Sequence, residues 1–310
     1  MNENKNDVIV SGKLFEKTIP FTKFFKVSII SLILFAFGIY LYFVNKGFYL
    51  GIDFKGGIKI ECVIKNKEAD IKSLRTLFAE NKIDAEITVV GNPEEREFMI
   101  TLPIKTGDDS EKVITETINN LENKFGKGSV DIRGREIVEP KIGETFAGKA
   151  IQLLIVVSIL ILFYILVRFD IFYSFGAIVA LIHDAIMMLA FTLFLKIPID
   201  ITIIAAILTV LGYSVNDTIV VFDRIRELHQ LSPMEDFALL IDKATTQTLN
   251  RTIITALTTI FVSLALYLFG GIVLKNFALI LTIGFISGTY SSIFIASMLT
   301  YYLRKIFKKK

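Results

Sequence analysis

The sequence has no tryptophan, one cysteine, two histidines and six prolines among its 310 residues. The single thiol, Cys62, excludes an internal disulfide and any metal cluster built on cysteines, and reads as a buried structural side chain. With His183 and His229 as the only imidazoles, neither a metal centre nor any other cofactor is expected. No G-x-x-x-x-G-K-S/T loop is present, so ATP hydrolysis is not expected. The chain also lacks a nucleophile elbow and an H-E-x-x-H helix, and it is not read as an enzyme. A net charge of +3 provides no overall basic field for nucleic acid.

What the chain has in abundance is apolar surface. Apolar residues make up 53%, 27 of them phenylalanine, and mean hydropathy is +0.59. A spanning helix needs about 20 apolar residues. Six stretches qualify: 26–45, 149–168, 171–195, 200–222, 251–273 and 276–303. The first is too long for a signal-peptide core and reads as an uncleaved anchor. The predicted architecture is therefore an α-helical membrane protein with six transmembrane helices, in contact with lipid on its outer faces. Segment 1–25 and the basic tail 304–310 flank the spans, and 223–250 forms the long connection within the 149–303 bundle.

Lysine and arginine near the spans set the orientation. The lysine-rich start, Arg168, Arg224, Arg226, Lys243 and the ending RKIFKKK all fall on one side, against Lys196 and Lys275 on the other. Both termini are thus expected in the cytoplasm, with the polar stretch 46–148 outside. That stretch carries alternating DFKGGIKIECVI, which places Ile58, Ile60 and Cys62 on one face. Helical spacing follows at Ile71, Leu74, Leu77 and Phe78, then two strand-like runs. A second amphipathic helix uses Val113, Ile114, Ile118 and Leu121, and SVDIRGREIVE is a final strand. The order β-α-β-β-α-β is the ferredoxin-like arrangement. Tethers at 47–57 and 140–148 are expected to let this domain swing as a rigid body.

In the connection 223–250, Ser232 and Glu235 have capping-box spacing, with Pro233 at the first helical position. A short helix with Phe237, Leu240, Ile241 and Ala244 on one face is predicted, lying on the inner membrane surface or packing on its neighbours.

Charges inside the spans demand an explanation, since one at such depth costs about 2.5–3.5 kcal/mol. Asp217, with Tyr213, Asn216 and Val220 on the same helical side, reads either as a helix-packing hydrogen bond or as a proton or ion relay. Arg251 shares a face with Gln247, Thr255 and Thr258, and it either snorkels to the membrane edge or meets Asp217 at the same depth. His183 and Asp184 sit mid-span, about 100° apart on a helix, and are not expected to bond each other. A structural role and proton handling both stay open for them. Gly284 and Gly288 form a G-x-x-x-G surface extended by Ser287, Ser291 and Ser292, for contact with a neighbouring helix or a partner subunit.

Four motifs in order resemble the SecF family of bacterial protein-export membrane proteins, within the resistance-nodulation-division superfamily. They are GIDFKGG (51–57), GYSVNDTIVVFDRIRE (212–227), LNRTIITALTT (249–259) and FALILTIGFISGTYSSIFIA (277–296). In the first, Gly51, Asp53, Gly56 and Gly57 carry the likeness. Val138-Glu139-Pro140 departs from the pattern, which has a small residue before the proline. The resemblance implies a multi-pass protein of the bacterial cytoplasmic (inner) membrane. Such a protein works with SecD, here a separate chain, beside the SecYEG channel, and uses the proton gradient to help export preproteins. It implies proton-pathway roles for Asp217 and Arg251. The alternative is half of a proton-driven small-solute exporter of the same superfamily, whose outer domain would be larger than this one.

Overall fold

The computed structural model describes residues 17–90, 93–105 and 107–307. The start of segment 1–25 and the last residues of the tail 304–310 lie outside the described residues.

The outer domain runs β1 (Gly57–Ile64), α3 (Ile71–Glu80), β2 (Glu86–Val90), β3 (Glu97–Leu102), α4 (Ser110–Phe125) and β4 (Val130–Val138). Before it stand α1 (Ile29–Val44) and the single turn α2 (Ile52–Lys55). The strands form one antiparallel sheet in the order β2-β3-β1-β4, with Ile60 opposite both Ile100 and Arg135. This is the ferredoxin-like topology that the pattern predicted. One sheet face, Ile58, Ile60, Cys62 and Ile64, is wholly buried under Leu74, Phe78, Ile114 and Leu121. Each such side chain stabilises the domain by about 1.5–3 kcal/mol. Cys62 lies in this core, where burial, then the charges of Glu97 and Glu61, push its thiol up to about 12.

Aspartates start the helices. Asp70 accepts from the Ser73 amide at 2.7 Å, and the Asp70 amide donates to Ser73 Oγ at 2.9 Å, closing a capping box on α3. Asp109 caps α4 without a reciprocal bond, its carboxylate accepting from the Glu111 and Lys112 amides at 3.1 and 3.3 Å. Asp170, Asp200 and Asp236 cap three membrane helices: α6 (Ile171–Leu195), α7 (Ile201–Leu231) and α8 (Phe237–Phe269). Before α6 lies α5 (Pro140–Arg168), and after α8 come α9 (Gly271–Ser291), a π-helical turn Ser292–Ala296 and α10 (Ser297–Phe307). Among the described residues, six helical stretches are long and apolar enough to cross a membrane, the last being Leu274–Phe307. The protein is a multi-pass membrane protein.

Three expectations need correction. Ser232 ends α7 instead of starting a helix, and Glu235 lies in the turn that follows, its amide bonded to the Ser232 carbonyl at 3.2 Å. Helix α8 starts instead at Asp236. The physical reason is burial: Leu240, Ile241 and Ala244 pack into the bundle, whereas Met234 is 99% exposed. No separate surface helix forms, because α8 runs unbroken into the fifth span. Residues 140–148, expected as a loose tether, are the first turns of α5, with Pro140 at a position where its missing N–H is harmless. The third correction concerns His183 and Asp184 and belongs to the site.

Candidate functional site

Asp217 lies on α7 with 7% of its surface exposed. Its partners are two hydroxyls from different helices. Thr252 Oγ1 on α8 donates to Oδ1 at 2.6 Å, and Ser292 Oγ donates to Oδ2 at 2.5 Å. Ser292 opens the π turn, an extra-residue distortion that re-aims side chains and recurs at functional sites.

A second buried carboxylate sits nearby on α6. Asp184 is fully buried and accepts from Ser214 on α7 at 2.6 Å, and from Ser287 and Ser291 on α9 at 2.8 and 2.7 Å. The fourth contact is His183 Nδ1, 3.1 Å from Asp184 Oδ1. These neighbours therefore do bond each other, contrary to the expectation from their 100° separation. Successive Cα atoms are about 3.8 Å apart, and an imidazole leaning along the helix surface spans the remaining gap. Ionised, a carboxylate offers about four acceptor sites. Asp184 receives three hydroxyl donors and, in the Nδ1–H tautomer of His183, a fourth, whereas Asp217 receives two. Among the described residues His183 Nε2 is buried without a hydrogen-bond partner, and the ring centroid lies 5.9 Å from that of Tyr290.

The glycines of α9 make this convergence possible. A Cβ on Gly284 would stand 2.4 Å from Val210 Cγ2, and one on Gly288 would stand 3.1 Å from Ser214 Cβ. The expected small-residue contact is thus with α7 of the same chain, and it brings Ser287 and Ser291 to Asp184.

Other expected site residues are not at Asp217. Asn216, Gln247, Arg251 and Thr258 are exposed along the outward side of α7 and α8, with Thr255 partly buried. Among the described residues Arg251 makes no ion pair with Asp217, although its charge is still felt there. The Thr255 hydroxyl is held by the carbonyls of Arg251 and Thr252 at 2.9 and 3.1 Å. Ser214 and Thr252, which bond Asp184 and Asp217, are not among the site residues expected from the sequence. The signal was available: a serine three residues before a buried aspartate, in an apolar helix, must find a partner.

At the outer surface the 51–57 motif forms a joint. The Gly51 amide donates to the Ile199 carbonyl at 2.7 Å, and Asp53 Oδ2 accepts from the Ile201 amide at 2.9 Å. Gly56 adopts φ +76, and a Cβ there would lie 2.6 Å from Pro140. At Gly57 a Cβ would lie 2.8 Å from the Leu102 carbonyl oxygen. Only glycine meets both demands.

The chain is thus a six-span membrane bundle with one ferredoxin-like domain and two buried aspartates, each held by hydroxyls. The family model described as "Protein export membrane protein SecD/SecF, C-terminal" matches residues 117–306, and the "SecD/SecF GG Motif" matches residues 42–61. Similar relatives include the protein translocase subunit SecF of Calditerrivibrio nitroreducens, 39% identical over 91% of this chain and 92% of that one. The SecF subunit of Haemophilus influenzae is 38% identical over 91% and 86%. A crystal structure of SecDF from Thermus thermophilus, described as a translocon-associated membrane protein, superposes with a TM-score of 0.80 at 33% identity. It matches 94% of this chain, which spans only 39% of that longer one. The chain belongs to the SecD/SecF family of protein export membrane proteins.

Proposed function

We propose that this chain acts in protein export as the SecF partner of a separate SecD chain. It works beside the SecYEG channel and draws on the proton gradient to help preproteins across the bacterial inner membrane. Both termini lie in the cytoplasm and the ferredoxin-like domain outside. The carrying observation is Asp217: a carboxylate buried at membrane depth, touched by two hydroxyls and by no cation at ion-pair distance. A permanently ionised group would be expected to hold a counter-charge there, so Asp217 is the group that takes up and releases the proton. Arg251 cannot deprotonate. It acts through its charge, facing outward where a partner helix docks.

The exposed strip of Asn216, Gln247, Arg251 and Thr258 supports a protein partner, since polar side chains at lipid depth face other protein or water. SecD is the partner this reading assigns to that strip. The test is preprotein export into inverted vesicles with and without an uncoupler. Asp217→Asn keeps the shape and removes titration, so it should leave the SecD complex assembled and abolish the uncoupler-sensitive fraction. Retention of that fraction at the wild-type level would refute the reading.

A further inference from the structure

The 51–57 segment makes contacts that a passive linker would not need. Its single turn α2 places Phe54 in the hydrophobic core of the helix bundle with Ile197, Ile199 and Ile203. Tyr49 O accepts from the Ile199 amide at 2.7 Å, and with Gly51 this makes a short parallel bridge from the first span's exit to the loop before α7. Gly143 on α5 packs so closely on α2 that a Cβ would lie 3.0 Å from the Phe54 carbonyl oxygen. Asp53 then takes the first amide of α7, Ile201, an orphan donor at a helix start with partial positive charge. The outer sheet begins at once, with β1 at Gly57.

The segment therefore touches three bodies: the sheet of the outer domain, the N-terminus of α5 and the N-terminus of α7. Helix α7 is the one that carries Asp217, sixteen residues on from Ile201, about 24 Å along an unbroken helix at ~1.5 Å per residue. A displacement at one end of a continuous helix reaches the other end largely undamped.

We propose that residues 51–57 form a rigid elbow that couples the attitude of the outer domain to the helix carrying Asp217, with Asp53 as its positioning residue. The inference rests on the proton-linked reading of Asp217. The outer domain does not swing freely on two flexible tethers. It tilts together with the start of α7, so that a change in protonation at Asp217, by shifting α7, changes the domain's angle to the membrane. The link consists of one carboxylate–amide hydrogen bond backed by the Gly51–Ile199 bond.

Both ends of that bond can be cut independently. Asp53→Ala removes the acceptor. Ile201→Pro removes the donor: Ile201 is the first residue of α7, Asp200 before it is already extended (φ -124, ψ -177), and proline fits such a position. Asp53→Asn keeps an acceptor oxygen and serves as the conservative control. Spin labels at Lys72→Cys in α3 and Lys275→Cys at the outer end of α9, in the full chain assembled with SecD, report the domain's angle as a distance distribution. With native Asp53, Asp217→Asn should shift that distribution. The shift should vanish in Asp53→Ala and in Ile201→Pro, and persist in Asp53→Asn. An undiminished shift in both cutting variants would overturn the elbow, as would no shift in a chain whose uncoupler-sensitive export Asp217→Asn has abolished. Survival of that export in Asp217→Asn marks instead the failure of the proton reading itself.

Discussion

Ser291 and Ser292 are adjacent in sequence, yet their hydroxyls serve different buried carboxylates, Asp184 and Asp217, at 2.7 and 2.5 Å. Each hydroxyl also has a backbone alternative. Ser291 Oγ lies 3.1 Å from the Gly288 carbonyl oxygen, and Ser292 Oγ lies 3.0 Å from that of Thr289. An ionised aspartate accepts a hydrogen bond from the serine hydroxyl. A protonated one donates to the serine oxygen, and the hydroxyl turns to the carbonyl. Both protonation states are thereby satisfied with no backbone movement.

The two serines should separate by function. A hydrogen bond to a charged group contributes about 1.5–3 kcal/mol, and each ~1.4 kcal/mol is about tenfold in rate. Ser292→Ala is expected to slow the uncoupler-sensitive fraction of export about tenfold or more. Ser291→Ala leaves Asp184 with three donors. It should cost about 1 kcal/mol of stability in detergent, read as a small fall in melting temperature, with export within twofold of wild type.

Arg251 is expected to act through charge alone, because among the described residues its guanidinium makes no ion pair with a carboxylate. Arg251→Lys should therefore retain most of the uncoupler-sensitive export, and Arg251→Met should lose it about tenfold or more. Equal loss in both variants would point to a bidentate contact across the partner interface.

At the α7–α9 contact, the two glycines should differ in their tolerance of alanine. Gly284→Ala meets the branched Val210 and Met188 at 2.4 and 3.0 Å, an overpacking that costs about 1–3 kcal/mol. Gly288→Ala meets Ser214 at 3.1 Å and needs only a few tenths of an ångström of adjustment. That adjustment moves Ser214 from Asp184, so its effect should appear as altered hydrogen exchange around residue 214 before any loss of melting temperature.

The Asp70 carboxyl is held below the usual range, chiefly by the Ser73 amide and hydroxyl of its capping box. A carboxyl lowered by folding contributes its stability above its unfolded pKa and loses it as pH falls through the folded value. The protection of amides at the start of α3, taken relative to their intrinsic exchange rates at each pH, should therefore fall on acidification. Asp70→Asn should remove that pH response while keeping a cap.

The outer domain was legible because strand alternation and helical spacing both point at one core, Ile58, Ile60 and Cys62 against Leu74 and Leu121. Six spans were legible from hydropathy alone. The C-terminal end of α7 and the N-terminal start of α8 were not, since they extend beyond the apolar stretches on polar contacts such as Arg168–Asp223 at 2.9 Å and Arg224–Gln247 at 2.6 Å. Apolar periodicity does not report such contacts. The site was half legible. Asp217 and Asp184 stood out as charges in oily helices, but their partners Thr252, Ser292, Ser214 and Ser291 come from other helices, and nothing in one helix names the residue it faces in the next. The two readings of Arg251 stayed open for the same reason: a helical face can be assigned from spacing, but not which neighbour it meets.

The burial of Cys62 carries a practical dividend. Thiolate is the reactive form, and a thiol at about 12, wholly enclosed under two helices, is almost never ionised at neutral pH. Cysteines introduced anywhere else can be alkylated, cross-linked or spin-labelled without first replacing the native one. The same silence makes Cys62 a built-in alarm, because its modification under mild conditions signals that the outer domain has come open.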